Sequence, residues 1–237
     1  MTITSPHNEK LKLIRRLGRR RSREREGLFV GEGEDLLAAA RAAGVEPVEL
    51  LTAAGEGLGG TEVEPALLDR FSTLSSGTRV IGVWPETWAE RAAAPCVYLH
   101  AVSDPGNVGT VIRTAQALVG GSVVLGPDCT DPFGPHAVRA SMGAVFAEPL
   151  LRGGIDATPQ PRAALVAHGG EGLEALEGMA TLCLGAEREG LPAATAEQCE
   201  VRVTIPLREG AESLNVAAAA AIALQRIASA AGEGHGD

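Results

Sequence analysis

The sequence predicts an α/β layer protein of two domains, and three observations carry that expectation. Strand-length apolar segments alternate with helix-length ones along most of the chain. The 237 residues, 45% hydrophobic and 22% charged, suffice for one large or two small buried cores and are unlike a disordered chain. The alternation breaks between Pro85 and Pro95, which puts a boundary near residue 90 and gives domains 1–90 and 91–237.

The elements follow in order. Residues 8–17 place Leu11, Ile14 and Leu17 at helical spacing among basic side chains, and Gly18 ends that helix. Leu28-Phe29-Val30 reads as a short strand, followed by a helix over about 33–43 that Gly44 stops, and a strand over 48–51. A glycine-rich loop, 55–60, precedes a short helix over 64–71 and a strand over 79–84. After the linker, 96–102 opens a new strand. A helix over 107–118 leads to a strand over 122–125, and later strands fall at 163–167, 180–184 and 200–205. An alanine-rich helix over about 213–231 closes the chain, well specified because alanine loses no side-chain entropy. A disordered tail over 232–237 is expected after it.

Net charge is 21 − 30 = −9, which taken alone argues against nucleic acid. Its distribution argues the other way. Residues 1–26 hold nine basic side chains (Lys10, Lys12, Arg15, Arg16, Arg19, Arg20, Arg21, Arg23, Arg25) against Glu9, Glu24 and Glu26. That is +6, leaving −15 on the rest. A basic arm on an acidic body suits a polyanion partner, although charge alone fits a solvated terminal helix equally well.

No run approaches the roughly 18–20 apolar residues of a membrane span, and the polar, then basic, start lacks the apolar stretch of a signal peptide. A cytoplasmic protein with no membrane partner is expected. Cys96, Cys129, Cys183 and Cys199 are scattered, without a C-x-x-C pair or a closely spaced histidine pair. That argues against a disulfide framework and against a structural metal, and leaves four buried or incidental thiols.

Three loops, each after an expected strand, carry the chemistry. The first is Ser103-Asp104-Pro105-Gly106-Asn107-Val108-Gly109-Thr110-Val111-Ile112-Arg113. Pro-Gly makes a tight turn, Asn107 can cap the next helix, and Arg113 lies nearly two turns along on roughly the same side. An amide and a guanidinium converging above a strand end suit an anionic ligand. The second loop is Leu184-Gly185-Ala186-Glu187-Arg188-Glu189-Gly190-Leu191-Pro192, two glycines five apart with a carboxylate between them. It is neither a Walker loop nor the G-x-G-x-x-G turn that a dinucleotide-dependent oxidoreductase needs. A strand-end glycine allows close approach of a ligand to the backbone. The third runs from Ile205-Pro206-Leu207 to Ser213-Leu214-Asn215, where polar residues open a helix whose next face is entirely small. Taken singly, each loop also reads as an ordinary turn or helix cap.

Taken together, in this order and spacing, the loops resemble the three signature motifs of the SpoU (TrmH) family within the SPOUT superfamily of RNA methyltransferases. The resemblance is dense over 97–231 and includes a connecting segment from Asp131-Pro132 to Arg139-Ala140-Ser141-Met142-Gly143-Ala144. The stretch Arg20-Arg21-Ser22-Arg23-Glu24-Arg25-Glu26-Gly27-Leu28-Phe29-Val30-Gly31-Glu32-Gly33 resembles the α/β/α substrate-binding domain that many members carry. Two departures lie near the motifs. Val119-Gly120-Gly121 stands where many members have an aromatic residue, and Glu189 where a lysine is common.

The resemblance implies a trefoil-knotted α/β domain, an exception to the rule against knots, preceded by the small RNA-binding domain. It implies a homodimer that binds S-adenosylmethionine and methylates a ribose 2′-hydroxyl of RNA, ribosomal RNA ahead of transfer RNA. Gly185, Ile205 and Leu214 match cofactor-holding positions, with Leu184 and Leu207 as apolar neighbours. Asn107, Arg113, Glu187, Ser213 and Asn215 match the catalytic polar set. Arg113 is implied either as general base or as a phosphate clamp. Arg15, Arg16, Arg19, Arg20, Arg21, Arg23 and Arg25 are the expected RNA contacts. A catalytically silent RNA-binding protein is the alternative that intact motif residues argue against.

Overall fold

The computed structural model describes residues 2–74 and 76–233, with side chains as far as Ala230. The chain forms two compact units: 1–87 together with 131–147, and 88–130 together with 148–237.

The first unit opens with α1 (Glu9–Leu17), where the Asn8 side chain accepts from the Lys10 N–H and Leu11, Ile14 and Leu17 are buried. Seven residues of mostly charged sequence then form α2 (Arg20–Glu26), closed by left-handed Gly27. There follow β1 (Leu28–Glu32), α3 (Glu34–Ala42), β2 (Glu49–Ala53), β3 (Thr61–Val63), α4 (Pro65–Asp69) and β4 (Val80–Pro85). The sheet order is β1-β4-β2-β3, antiparallel except for the β2–β3 pair. One sheet face packs Val30, Leu51, Ile81 and Val83 against α1 and α4. The basic N-terminus is therefore no free arm: its two helices are part of this unit, and Leu11 and Leu17 are fully buried.

The second unit begins with β5 (Cys96–Leu99), α5 (Pro105–Leu118) and β6 (Ser122–Leu125). Asp104 caps α5 by accepting from the Asn107 N–H at 2.8 Å. After α5 the chain must turn against the Pro95 carbonyl, and a Cβ on Gly121 would sit 1.7 Å from that oxygen. A side chain there has no room, which accounts for the Gly-Gly at this departure from the family pattern.

Next comes α6 (Pro135–Ser141), in the segment 131–147 that packs within the first unit. The linear partition at residue 90 had counted this segment with the second domain. It covers the other face of the first sheet: Phe133 and Phe146 stack on Phe29 with centroids 4.9 and 5.6 Å away, and Phe146 meets Trp84 edge-on at 5.1 Å. Each such pair contributes about 0.5–1.5 kcal/mol beyond its area. With α3 on the same face as α6, this unit is an α/β/α sandwich.

The chain then completes the second unit with β7 (Leu150–Arg152), β8 (Arg162–Leu165), β9 (Thr181–Leu184), α7 (Ala193–Ala196), β10 (Val201–Val203) and α8 (Val216–Glu233). The six-stranded sheet has the order β10-β8-β9-β5-β6-β7 and every pairing is parallel. The central strands β5, β6 and β9 are buried at every position, as a parallel sheet covered on both faces requires. The last helix starts at Val216 rather than at 213, and its backbone continues through Glu233, two residues past the expected end. Of the disordered tail expected over 232–237, Gly232 and Glu233 instead continue the helix backbone, and 234–237 lie outside the described residues. No helix is long and apolar enough to cross a membrane among the described residues.

Candidate functional site

Parallel sheets bind ligands outside the carboxyl ends of their strands, and the second unit carries a cavity of about 470 Å³ at such a place. That volume falls in the usual range for small-molecule sites, roughly 300–1,000 Å³. The end of β9 and the loop after it supply Leu184, Gly185 and Glu187; the loop after β10 supplies Ile205, Leu207, Ser213 and Leu214. All five residues expected at the cofactor therefore line one cavity. The backbone N–H groups of Leu207 and Leu214 have no hydrogen-bond partner among the described residues, so they remain available to a ligand.

Gly185 serves a purpose the sequence did not disclose. A Cβ placed there would lie 2.0 Å from the carbonyl carbon of Gly190. The glycine is needed first for the loop's own return, which the Gly190 N–H closes on the Ala186 carbonyl at 2.9 Å.

The polar residues of the three loops meet beside the cavity. Asn107 donates from Nδ2 to Glu187 Oε1 at 2.6 Å, and its Oδ1 accepts from Asn215 Nδ2 at 3.0 Å. Asn215 Oδ1 in turn accepts from the N–H groups of Ala217 and Ala218 at the start of α8. One hydrogen-bonded chain thus joins three segments distant in sequence and fixes both amide orientations, since each oxygen and nitrogen has a matching partner. Ser213 lines the cavity and is exposed. Arg113 stands apart: it is exposed on α5, does not line the cavity, and has no polar partner among the described residues. A free guanidinium on that helix can accept an anion without first breaking an ion pair.

Sequence reasoning missed the contribution of β8. Val166 and His168, just beyond its carboxyl end, line the cavity, as do Val216 and Ala219 of α8. The strand-end rule, applied to β8 as it was to β9, points to the first two.

One expected RNA contact needs correction. Arg23 is buried, 4% exposed. Its Nε and Nη2 bond Asp131 Oδ2 at 3.1 and 2.7 Å, and its Nη1 donates to the Leu17 carbonyl at 2.9 Å. An arginine spent on a buried carboxylate cannot reach a phosphate. Arg15, Arg16, Arg19, Arg20, Arg21 and Arg25 are exposed, with Arg15 over the Phe71 ring, Arg20 paired to Glu24 and Arg25 to Glu26. No group of three or more metal-ligating side chains occurs among the described residues.

Fold and site define a class: an α/β protein that takes a small ligand at the ends of parallel strands and presents polar side chains beside it. Known proteins supply the family. Residues 94–225 match the SpoU rRNA methylase family, and residues 8–90 match the MRM3-like substrate-binding domain. The chain is 31% identical to the 23S rRNA (guanosine(2553)-2′-O)-methyltransferase RlmP of Bacillus subtilis, over 93% of this chain and 96% of that one. The S-adenosylmethionine-bound rRNA methyltransferase of Sinorhizobium meliloti superposes with a TM-score of 0.84 at 28% identity, covering 95% of this chain and 96% of that one. An RNA 2′-O ribose methyltransferase superposes with a TM-score of 0.81 at 28% identity, covering 98% and 99%. The chain belongs to the SpoU rRNA methylase family.

Proposed function

We propose that the protein transfers a methyl group from S-adenosylmethionine to a ribose 2′-hydroxyl of RNA, ribosomal RNA ahead of transfer RNA. The observation that carries this reading is that the second and third motif loops line one cavity and the first is tied to both beside it, by the Asn107–Glu187 and Asn107–Asn215 hydrogen bonds. The cavity fits the cofactor: Leu184, Leu207 and Leu214 suit its apolar parts, the free N–H groups at Leu207 and Leu214 its acceptors, and Glu187 and Ser213 its polar rim. Bound there, the cofactor supplies an electrophilic methyl on a sulfonium whose thioether leaves readily.

The chain's own work is then alignment and proton handling. Asn107, held from both sides, keeps the first loop and Glu187 in fixed register. Stripping a guanidinium of its proton is costly, so we assign Arg113 to clamping the target phosphate and stabilising charge that develops on the ribose oxygen. The exposed arginines of α1 and α2 fit phosphate contacts that weaken steeply with salt. A homodimer, a trefoil knot that holds the cofactor, and a cytoplasmic location complete the reading.

The test is a methyl-transfer assay with tritiated S-adenosylmethionine and, separately, unmodified rRNA and tRNA. Label at one alkali-resistant linkage in rRNA is expected. Label in tRNA alone overturns the substrate preference and leaves the chemistry. Arg113→Ala is expected to abolish turnover while cofactor binding survives, and near-normal turnover in that variant sinks the role given to Arg113.

A further inference from the structure

The cavity beyond β8, β9 and β10 carries charge that its apolar lining does not explain. Glu187, Glu189 and Glu212 line it together with one guanidinium, Arg188, and with His168. With histidine counted neutral, that is a formal charge of −2 around about 470 Å³. Glu187 is engaged by Asn107. Arg188, Glu189 and Glu212 are exposed, and their side chains have no hydrogen-bond or ion-pair partner among the described residues. No contact pair neutralises them, so their charge acts on whatever occupies the cavity.

Methyl transfer presents two ligands to this charge. The C–S bond of S-adenosylmethionine breaks with its electron pair left on sulfur, a C–O bond forms, and the ribose proton is lost to solvent. The cofactor, with sulfonium, ammonium and carboxylate, carries a single net positive charge. The product, S-adenosylhomocysteine, has a neutral thioether and no net charge. We propose that Glu189 and Glu212 are specificity-determining residues that favour the cationic cofactor over its neutral product and so limit product inhibition. The inference rests on the cofactor reading of this cavity.

Other features of the lining cannot make that distinction. The two ligands share the adenosine, the amino-acid end and every hydrogen-bonding group. The apolar side chains of Leu184 and Leu207, and the free N–H groups of Leu207 and Leu214, therefore have the same partners in both. What differs is one methyl group and one positive charge. Coulomb attraction acts over distance and does not depend on which end of the ligand faces the carboxylates. Two unit charges about 8 Å apart in water change a binding constant by roughly twofold. Exposure holds each contribution near that size, and salt screens it. The two carboxylates together are then worth about fourfold, and Arg188 opposes them by about twofold.

The test is equilibrium dialysis of labelled S-adenosylmethionine and, separately, labelled S-adenosylhomocysteine. The parent, the Glu189→Gln/Glu212→Gln double variant and Arg188→Gln are compared at about 10 mM and about 1 M salt, where the screening length is roughly 30 and 3 Å. At low salt the double variant is expected to lose about fourfold in preference for the cofactor, with product affinity nearly unchanged. Arg188→Gln is expected to raise the preference about twofold, and both shifts should vanish at high salt. Inhibition of methyl transfer by S-adenosylhomocysteine should strengthen in the double variant, relative to KM for the cofactor, by the same factor. A preference unmoved at low salt, a shift that persists at high salt, or Arg188→Gln acting in the same direction as the double variant overturns the proposal. Equal loss of both ligands in the double variant also overturns it, since a structural role alone would do that, and leaves the cofactor reading standing. A parent that binds neither ligand overturns the cofactor reading itself.

Discussion

Arg23 and Glu148 each hold a role that no neighbour in sequence announces. In a run of arginines, Arg23 carries the same charge and spacing as the others, and its burial is decided by Asp131, 108 residues later. Local pattern therefore could not separate it from Arg21. Removing the guanidinium takes the opposite charge away from a buried carboxylate, and Arg23→Ala is expected to lower stability by about 3–5 kcal/mol in urea unfolding. Exposed Arg21→Ala should stay within roughly 0.5 kcal/mol of the parent, yet reduce RNA affinity and flatten its salt dependence. Glu148 presents the opposite case, a buried carboxyl whose Oε2 has no hydrogen-bond partner among the described residues and whose pKa burial pushes up to about 7. The folded state holds this proton more tightly than the unfolded chain. Stability is thus full below the ordinary range of a glutamate, falls as pH rises through about 7, and levels off above it. Glu148→Gln should remove that fall, gaining on the order of 2 kcal/mol at pH 8 and little at pH 4. Parallel pH profiles of the two proteins check it, and superimposable profiles would refute the assignment.

Among the elements, those with a long apolar signature were legible. The central strands β5, β6 and β9 and the helices α1, α3 and α5 stand where the pattern put them, within a few residues. Three kinds were not. Edge strands β3 and β7 have three residues each, too short for any period to register. Helix α2 has no apolar stripe and draws its support from the buried Arg23 and the Arg20–Glu24 pair. Helix α8 begins late because Asn215, which was read as part of the helix, caps it instead while bonded to Asn107. The candidate site follows the same division. Its motif residues were legible as types, but the hydrogen-bonded chain that joins them depends on loops brought together by the parallel sheet. Asn215→Ala tests this double role. Loss of the cap should cost about 1 kcal/mol, a shift of roughly 2–4 °C in Tm for a protein of this size. Turnover should fall much further than that shift explains, because Asn107 loses the donor that orients it. A loss of stability with unchanged turnover would reduce Asn215 to a helix cap.

At the scale of the molecule, the linear order of the chain misstates which residues share a core. The break near residue 90 was legible as a linker, but it invites the view that 1–90 is self-sufficient. Only contacts across the fold reveal that 131–147 completes the first unit's sandwich. The chain has four phenylalanines and two tryptophans, and four of these six rings form one cluster spanning that division: Phe29 and Trp84 from the sheet, Phe133 and Phe146 from the returning segment. Of the remaining rings, Phe71 lies under Arg15, Trp88 under Arg152, and Tyr98 is buried. The aromatic side chains are thus committed to structure, and RNA recognition by the first unit falls to charge and shape more than to stacking. A fragment ending at residue 90 would expose the Phe29 and Trp84 face and leave Arg23 without Asp131. It should therefore keep helical far-UV circular dichroism, lose the near-UV signal of a fixed Trp84, and bind a hydrophobic dye. Joining 131–147 to the same fragment through a flexible linker should restore the near-UV signal. A cooperative urea transition in the fragment alone, with native Trp84 fluorescence, would show that the returning segment decorates this core rather than completing it.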